Sequence, residues 1–416
     1  MAAETKKKKG IDITVWLLIS MIAAVVVGLV VGEPMKNVQF IGDIFFRLIQ
    51  MTIPIFILCT IVKSVGGLTP QTLSGIGLKG IIVFIVTTGL AAAIGVGLGV
   101  TLQPGSGLEN SSIVANASFE GEATAMMSIQ DTITSFFGNN IVASLSNGSM
   151  IQIIIFAVAF GLVISFWRHS HDGECLAYDL CCEVSDLLLN IIRAVMKIAP
   201  IGIFCYVSAM IGTLGMDVLL PLGKYFLVML LGMAIMFVIY FIVVPIYCRV
   251  SPFKLMKKML RMTVTAFTTI SSAITLPTAM EDAKNRIGIR EDIVDVLLPL
   301  GVPLNSNGVA IHMAVDALCI AQMYGVHFGP NELLTVWVIC TMIAFVNAAT
   351  PGASLVSLTM MVPALNLPMA AIGIFGGLEY PTGASRTPLN VDGDVFAAML
   401  VAGPDGIDHE IFDTTD

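Results

Sequence analysis

Three polar residues near the carboxyl end of the chain, Arg386, Asn390 and Asp394, are spaced four apart in an otherwise apolar segment. On an α-helix this spacing places them on one face. Ionisable residues at membrane depth are costly, and they normally face a partner, a ligand or a water-filled path. A guanidinium, an amide and a carboxylate on one stripe could therefore bind an anionic solute beside a cation.

Membrane helices are the elements that the composition predicts for positioning this stripe. Of 416 residues, 56% are hydrophobic and 12% are charged, whereas soluble domains have about 25% charged residues. The mean hydropathy is +0.90, and several apolar runs approach the ~20 residues that a spanning helix needs. We therefore predict an all-α polytopic membrane protein, surrounded by membrane lipid and without a nucleic-acid partner. The predicted spans are residues 13–32, 41–66, 80–102, 147–167, 187–212 and 222–248.

Basic residues are distributed asymmetrically along the chain. They cluster in the amino-terminal tail, residues 1–12, and in the loop after the sixth predicted span, whereas residues 104–145 contain no Lys or Arg. The positive-inside rule therefore predicts a cell-membrane protein with cytoplasmic amino and carboxyl termini and an extracellular loop at 104–146. The acidic segment 404–416 is expected to be a solvated cytoplasmic tail. Three glycosylation sequons, whose use stays open, begin at Asn110, Asn116 and Asn147.

The last third of the chain is apolar but repeatedly interrupted. Residues 262–285 contain a Ser/Thr-rich turn, and residues 331–370 contain a Gly/Pro/Ser turn. Paired breaks of this kind point to the binding site of a transporter with inverted repeats, because non-helical backbone at membrane depth must be buried or line a cavity. Ordinary proline-kinked helices are the alternative. Further breaks are predicted at Pro299, Pro303 and residues 305–308, and at Pro381 and Pro388.

Several motifs together resemble one family of transporters. The turn from Ser271 to Pro277, the run Asn305-Ser306-Asn307-Gly308-Val309 and the polar stripe of the last helix occur in the order that this family shows. Residues 262–403 resemble the transport core of the dicarboxylate/amino acid:cation symporter family, which includes the glutamate transporters. The likeness extends to residues 45–51 and 199–204 and so covers nearly the whole chain.

The resemblance implies a fold and a domain organisation. Eight transmembrane helices and two re-entrant helical hairpins would form inverted repeats, in a homotrimer that works by an elevator motion. Residues 13–78 and 147–215 would form the scaffold. Residues 79–103 and 219–403 would form the moving transport domain, whose hairpins are placed at about 262–285 and 331–370.

The resemblance also implies the residues that would contact a small anionic substrate. They are Ser271, Ser272, Thr350, Gly352, Ala353, Ser354, Val309, Gly383, Arg386 and Asn390. Two of these depart from the family pattern: Val309 replaces a threonine, and Gly383 replaces the aspartate that receives an amino group. Arg386 remains and suits a bidentate clasp of a carboxylate. We therefore predict a symporter for a C4-dicarboxylate-like anion, with an acidic or neutral amino acid as the alternative substrate.

The coupling ion is predicted to be Na⁺, H⁺ or both, and no organic cofactor is expected. One sodium site implied by the resemblance comprises Gly301, Asn305, Asn390 and Asp394. A second comprises Thr87, Thr88, Asn305 and Asn307. Asn307 stands where the family has an aspartate, and loss of that charge would weaken the second site.

His312 and Asp316 add a pair that the family pattern does not supply. Spaced four apart on a membrane helix, they could relay a proton, or they could simply form a structural pair between helices. Two other functions are alternatives to a symporter. One is an intramembrane hydrolase with Ser271 as nucleophile and His312 as base, and the other is an anion channel. The first would leave Arg386 without a role. Flux that fails to concentrate the substrate would identify the second. We predict that the chain is not an enzyme.

Overall fold

A computed structural model describes most of the chain. The described residues are 13–68, 75–106, 134, 137–147, 149–171, 173–214, 219–345, 347, 353–368, 371–376 and 378–414. Within these ranges the regular structure is helical, and the only strand-like pairing is an isolated antiparallel bridge between Ile289 and Ile407. The all-α prediction is therefore confirmed.

Eighteen α-helices are described, joined by short turns and loops. They are α1 (Ile13–Val31), α2 (Gln39–Gln50), α3 (Ile53–Gly66), α4 (Ile76–Leu102), α5 (Ile141–Asn147), α6 (Met150–Ser170), α7 (Leu176–Met196), α8 (Ala199–Leu214), α9 (Leu219–Cys248), α10 (Pro252–Thr269), α11 (Ser272–Asp282), α12 (Glu291–Leu304), α13 (Asn307–Met323), α14 (Pro330–Ala344), α15 (Ala353–Ala364), α16 (Ala371–Gly376), α17 (Glu379–Ala402) and α18 (His409–Thr414).

Length and composition allow three helical stretches of the described residues to cross a membrane: Ile76–Leu102, Leu222–Cys248 and Glu291–Met323. Helix α4 shows how such a helix divides its surface. Ile82 and Val86 are exposed, whereas Thr87 and Thr88 on another face are buried inside the protein. A helix that is apolar even where it is exposed is expected to meet lipid on that face.

Prolines near the amino ends of helices divide two of the predicted spans. The span predicted at 41–66 consists of α2 and α3, which are separated at residues 51–52. The span predicted at 187–212 consists of the end of α7 and most of α8. Pro54 and Pro200 each occupy the second residue of the helix after the break, where a missing N–H costs little.

Elsewhere prolines do not cause the predicted breaks. Helix α12 continues through Pro299 and Pro303 and ends at Leu304. Helix α17 runs from residue 379 to 402, with Pro381 in its first turn and Pro388 inside it. The predicted breaks at these four prolines are therefore wrong, because each helix stays continuous although every internal proline removes one main-chain hydrogen bond.

The helices form two packed groups. Helices α1, α2, α3, α6, α7 and α8 contact mainly one another, and α4 and α9–α17 contact mainly one another. Helix α13 is at the centre of the second group, where every residue from 305 to 321 is buried. Its contact with α4 is close because Gly95 approaches α13: a Cβ at Gly95 would lie 2.7 Å from the Ala314 Cβ.

Helices α10 and α11 form a helical hairpin. Their tips meet where the Thr269 and Thr275 hydroxyls are 3.1 Å apart, and their bases meet where Arg261 forms a 2.8 Å ion pair with Glu281. The turn between them is tight because Ile270 has a left-handed φ of 51°. Two helices therefore meet at a tight turn inside the range predicted for the first hairpin, 262–285, and the re-entrant hairpin itself stays a prediction.

The carboxyl-terminal segment is docked rather than fully solvated, which corrects the expected solvated tail. The Asp408 N–H donates to the Gly288 carbonyl at 2.7 Å, and the Arg290 N–H donates to the Gly406 carbonyl at 3.1 Å. Phe412 on α18 is 1% exposed. Main-chain hydrogen bonds and the buried ring of Phe412 therefore attach the carboxyl-terminal segment to the segment that follows α11.

Candidate functional site

Helix α17 presents the polar stripe to α12 and α13. Arg386, Asn390 and Asp394 are 3%, 5% and 4% exposed. All three lie within the helix that spans Glu379–Ala402, so they share one face as their spacing predicted. Each reaches a polar group on α13 or at the junction of α12 and α13. The stripe is therefore part of a buried polar interface in the second helix group.

The junction between α12 and α13 brings together the first predicted cation site. Asn305 and Ser306 are not helical, which leaves main-chain groups without their usual helical partners. The Asn305 side-chain amide donates to Asp394 Oδ1 at 2.9 Å. Gly301 approaches the same carboxylate so closely that a Cβ there would lie 2.3 Å from Oδ1. A carboxylate and nearby amide and main-chain oxygens are suitable ligands for a hard cation.

Asn390 belongs to the same interface but its side chain is used differently. Its Oδ1 accepts a 2.8 Å hydrogen bond from the Gly308 N–H at the start of α13. A Cβ at Gly308 would lie 2.4 Å from the Arg386 carbonyl oxygen. Glycine is needed here because the two helices approach each other at backbone distance. This contact fixes the start of α13 against the middle of α17.

The residues predicted for a second cation site also lie close together. The Thr88 hydroxyl donates to Asn307 Oδ1 at 3.1 Å, and the Thr87 hydroxyl lies 3.4 Å from Asn305 Oδ1. The Asn307 amide donates to the Tyr240 hydroxyl at 2.6 Å. Asn307 thus has a hydroxyl on each side, and α4, α9 and α13 converge on it.

The oxygen-rich character of both sets is consistent with an alkali cation as the transported ion. Within the part of the chain that the structure describes, no cluster of three or more His, Cys, Asp or Glu side chains could hold a metal ion. Any cation bound here would rely on amide, hydroxyl and main-chain oxygens around Asp394. Such ligands suit hard cations and not the metals that prefer imidazole or thiolate.

A second polar cluster lies on the other side of Arg386. The Nη1 atom of the Arg386 guanidinium is 3.4 Å from His312 Nδ1. The other ring nitrogen, Nε2, is 2.8 Å from the Tyr225 hydroxyl and 3.2 Å from Asp316 Oδ2. His312 and Asp316 are 1% and 0% exposed. His312 and Asp316 therefore lie together as a pair, and His312 also contacts Arg386.

Two tyrosines on α9 are site residues that the sequence-based prediction missed. Tyr225 joins the histidine cluster, and Tyr240 joins the second cation set. Both lie within an apolar helix, and a buried tyrosine hydroxyl normally finds a hydrogen-bond partner. That pattern was visible in the sequence, but it does not say which helix supplies the partner.

The first hairpin tip places its two serines in buried positions. Ser271 caps α11, since its hydroxyl accepts a 3.3 Å hydrogen bond from the Ile274 N–H. Ser272 is 6% exposed. Helix α11 packs against α17, so the tip lies beside the helix of Arg386. The Ser271 hydroxyl, which was predicted to contact the substrate, is therefore used here to cap its own helix.

The remaining predicted substrate residues are divided by what the structure describes. Ala353 and Ser354 are buried at the start of α15, which packs against α13 and α17. Val309 is buried on α13 and Gly383 is buried on α17. Thr350 and Gly352, at the tip of the predicted second hairpin, lie outside the described residues.

Comparison with known proteins adds an independent finding. The model of the sodium:dicarboxylate symporter family matches residues 13–403. The chain is 30% identical over 376 residues to the proton/glutamate-aspartate symporter of Escherichia coli K12, covering 87% of this chain and 84% of that protein. It is 27% identical over 400 residues to the proton/sodium-glutamate symport protein of Bacillus subtilis 168, covering 94% and 92%.

A vertebrate protein is also similar. The chain is 28% identical over 398 residues to the bovine neutral amino acid transporter B(0), covering 87% of this chain and 72% of that protein. These relatives are transporters and not enzymes, which confirms that prediction. Their names concern amino acids, so they favour the amino-acid alternative over the C4-dicarboxylate that Gly383 suggested.

Proposed function

The chain belongs to the sodium:dicarboxylate symporter family, and we propose that it is an integral membrane symporter that imports an acidic amino acid together with cations. The observation that carries this proposal is the buried guanidinium of Arg386, which is 3% exposed and faces a histidine at 3.4 Å. An arginine at this depth is costly, and such residues typically line a substrate or ion pathway. A side-chain carboxylate suits its planar fork.

The cation would bind on the neighbouring turns of the same helix. Asp394 supplies the negative charge, and Asn305, Asn390 and the Gly301 carbonyl supply the neutral oxygens. The Asn305 amide, 2.9 Å from Asp394 Oδ1, would rotate or yield to a bound ion. Thr87, Thr88, Asn305 and Asn307 form the second candidate set. Because Asn307 is neutral, we expect that set to bind a cation more weakly than the set around Asp394.

Substrate and cation are linked by geometry. Two turns of one helix separate Arg386 from Asp394, and Asn390 between them is bonded to the start of α13. A substrate that pulls on Arg386 therefore acts on the same helix–helix contact that a cation stabilises. Such a shared element gives positive coupling, because each ligand favours the arrangement that the other needs.

The transport step is proposed to move the second helix group against the first. Helices α4 and α9–α17 would be the transport domain, and α1, α2, α3, α6, α7 and α8 the scaffold of a homotrimer. The support is the packing, in which each group contacts mainly itself. The two hairpins, α10–α11 and α14–α15, would gate the substrate from opposite sides, with both termini in the cytoplasm.

A C4-dicarboxylate is the second candidate substrate. Gly383 is the specific observation in its favour, because a glycine cannot neutralise the ammonium of an amino acid. The amino-acid assignment has the support of the relatives, and it requires main-chain carbonyls or another acid to receive the ammonium. The two candidates share the carboxylate that Arg386 would clasp.

Counterflow in proteoliposomes tests the proposal. Vesicles preloaded with glutamate, aspartate, succinate, fumarate, alanine or cystine are given external radiolabelled aspartate, and a parallel series is given external radiolabelled succinate, each with and without sodium. We expect exchange with glutamate and aspartate and little with succinate. Exchange with succinate and fumarate alone would establish the dicarboxylate candidate instead. No exchange with any carboxylate, or flux that never exceeds equilibrium, would refute a symporter of this class.

Arg386→Lys is the variant that tests the carrying observation. Lysine keeps the charge but loses the bidentate fork, so we expect acidic substrates to bind about 1–3 kcal/mol more weakly. Arg168→Lys, at a residue in the first helix group that stacks on Tyr178 with 4.0 Å to the ring centroid, is the matched control and should leave exchange unchanged. Equal affinity in Arg386→Lys would remove Arg386 from substrate binding.

A further inference from the structure

Four buried residues from three helices form a cluster beside the proposed substrate position. They are Tyr225 on α9, His312 and Asp316 on α13, and Arg386 on α17. His312 is central: Nδ1 faces Arg386 Nη1 at 3.4 Å, and Nε2 lies 2.8 Å from the Tyr225 hydroxyl and 3.2 Å from Asp316 Oδ2. Phe375 packs edge-on against Tyr225 with ring centroids 4.9 Å apart, which holds the tyrosine ring in place.

The partners of the imidazole determine where its proton lies. A guanidinium is only a donor, so Nδ1 must offer Arg386 its lone pair. The proton of the neutral ring is therefore on Nε2, which lies 2.8 Å from the Tyr225 hydroxyl and 3.2 Å from the Asp316 carboxylate. A second proton, on Nδ1, would place a ring N–H opposite the guanidinium N–H of Arg386, and two donors cannot form a hydrogen bond with each other. While Arg386 remains in this position, His312 has no free place for a second proton.

We propose that Nδ1 of His312 is the binding site of a coupled proton, which it takes up when the substrate carboxylate draws Arg386 away. This inference rests on the proposed function and names one of its coupling ions. The contact that must be released is long, at 3.4 Å, so a bidentate carboxylate replaces it with a gain. The proton comes from water on the loading side and returns to water when the substrate leaves.

Charge balance at the buried site points to the same coupling. In the empty protein we assign one positive charge to Arg386 and one negative charge to Asp316, which lies 3.2 Å from His312 Nε2, with a neutral imidazole between them. A bound carboxylate adds a negative charge, and a proton on His312 restores neutrality. Moving a net charge through the membrane interior is costly. The loaded carrier is therefore more easily moved with the proton than without it.

Other titratable groups around the cluster do not offer an equivalent site. Cys319 on α13 and Cys340 on α14 are the remaining titratable neighbours of the Asp316 carboxylate, and thiols are neutral at physiological pH. Lys224 on α9 lies towards Cys319. Helix α15 contains no titratable residue. The titratable residue of α4 is Lys79, which is exposed. Of these side-chain types, an imidazole is the one that ordinarily binds a proton near neutral pH.

Proton counting during substrate binding tests the inference. The full-length protein in nanodiscs, in weakly buffered solution with a pH indicator, is titrated with aspartate between pH 6 and 8. We expect the wild-type protein to take up about one proton per aspartate, and its Kd to rise about tenfold per pH unit where the empty carrier has a neutral imidazole. Aspartate itself does not change protonation in this range.

The key variant is His312→Asn, whose amide oxygen can still accept from Arg386 but cannot take up a proton. It should bind aspartate with a Kd that does not change with pH, take up no proton, and lose uptake driven by a pH gradient. His312→Gln replaces it if the asparagine variant does not fold. His327→Asn, at an exposed histidine, is the control and should behave like the wild-type protein.

The outcomes separate this inference from the proposed function. If the wild-type protein binds and exchanges aspartate without proton uptake, or if both His312 variants keep it, the proton site is refuted and the symporter stands. If aspartate does not bind at all and succinate does, the substrate assignment fails, and the same proton count with succinate decides the inference. Loss of exchange in His312→Asn with normal proton uptake would make His312 a substrate-positioning residue and overturn the proposal.

Discussion

Asp394→Asn is the substitution that most directly tests how cation binding is built into α17. The asparagine has the same shape, and its Oδ1 can still accept from the Asn305 amide, which donates to Asp394 at 2.9 Å. The buried helix contact should therefore survive, and the change should act through charge. Folding and the oligomeric state, measured by size-exclusion chromatography, are expected to match those of the wild-type protein.

The size of the effect follows from the charge that is removed. A carboxylate and a monovalent cation about 2.4 Å apart attract by about 7 kcal/mol at an effective dielectric constant of about 20. The cost of burying the carboxylate offsets part of this attraction. We expect about 3 kcal/mol to remain, which corresponds to a roughly 100-fold weaker apparent sodium affinity.

The assay is initial uptake of radiolabelled aspartate into proteoliposomes as a function of external sodium, with lithium and potassium as comparison ions. Asp186→Asn, at an exposed carboxylate paired with Lys63 at 2.7 Å, is the matched control and should have the sodium dependence of the wild-type protein. Our reasoning is refuted if Asp394→Asn keeps its sodium affinity, because the cation would then bind elsewhere.

Three further predictions concern packing, buried hydrogen bonds and pH. Gly308→Ala should lower the thermal stability and abolish uptake, because its Cβ would lie 2.4 Å from a carbonyl of α17, whereas Gly97→Ala, with nothing within 4 Å of its Cβ, should be neutral or slightly stabilising in the same thermal-shift assay. Tyr240→Phe should cost about 1–3 kcal/mol, because it removes the acceptor of a buried 2.6 Å hydrogen bond from an amide on α13, and it should reduce sodium affinity; normal stability and sodium affinity together would contradict this role. Lys254 lowers the pKa of Asp413 on α18, first through a hydrogen bond and then through its charge. This pair therefore stabilises the docking of α18 above the unfolded pKa of the carboxyl group, and the contribution disappears as the pH falls through the lower folded pKa. Hydrogen exchange of residues 409–414 should accelerate in acid in the wild-type protein and should not do so in Asp413→Asn.

Local sequence patterns predicted the parts of the site that depend on one helix. Arg386, Asn390 and Asp394 share a face because α17 is a regular helix, and His312 and Asp316 pair because they are one turn apart on α13. Both conclusions need only the 3.6-residue period. The same reasoning failed at Pro388, because a proline's effect on a helix depends on the packing around it.

Contacts between distant segments could not be read in this way. Tyr225 approaches His312, and Tyr240 approaches Asn307, across 87 and 67 residues. The apolar pattern of α9 says that a tyrosine there needs a partner, but not which partner it finds. The docking of Phe412 against the base of the first hairpin was missed for the same reason, since an acidic tail has no local signal for a buried ring.

The sequence by itself determined that this is an apolar, helical protein of the membrane, with a basic and an acidic group one above the other in its last long helix and broken helices nearby. Only the tertiary structure decided that Arg386 faces His312 and that the break at Asn305 meets Asp394. Helical periodicity depends on residues that are close in sequence, so a short stretch of sequence is enough to predict it. The partner of a buried charge depends instead on how whole helices pack together.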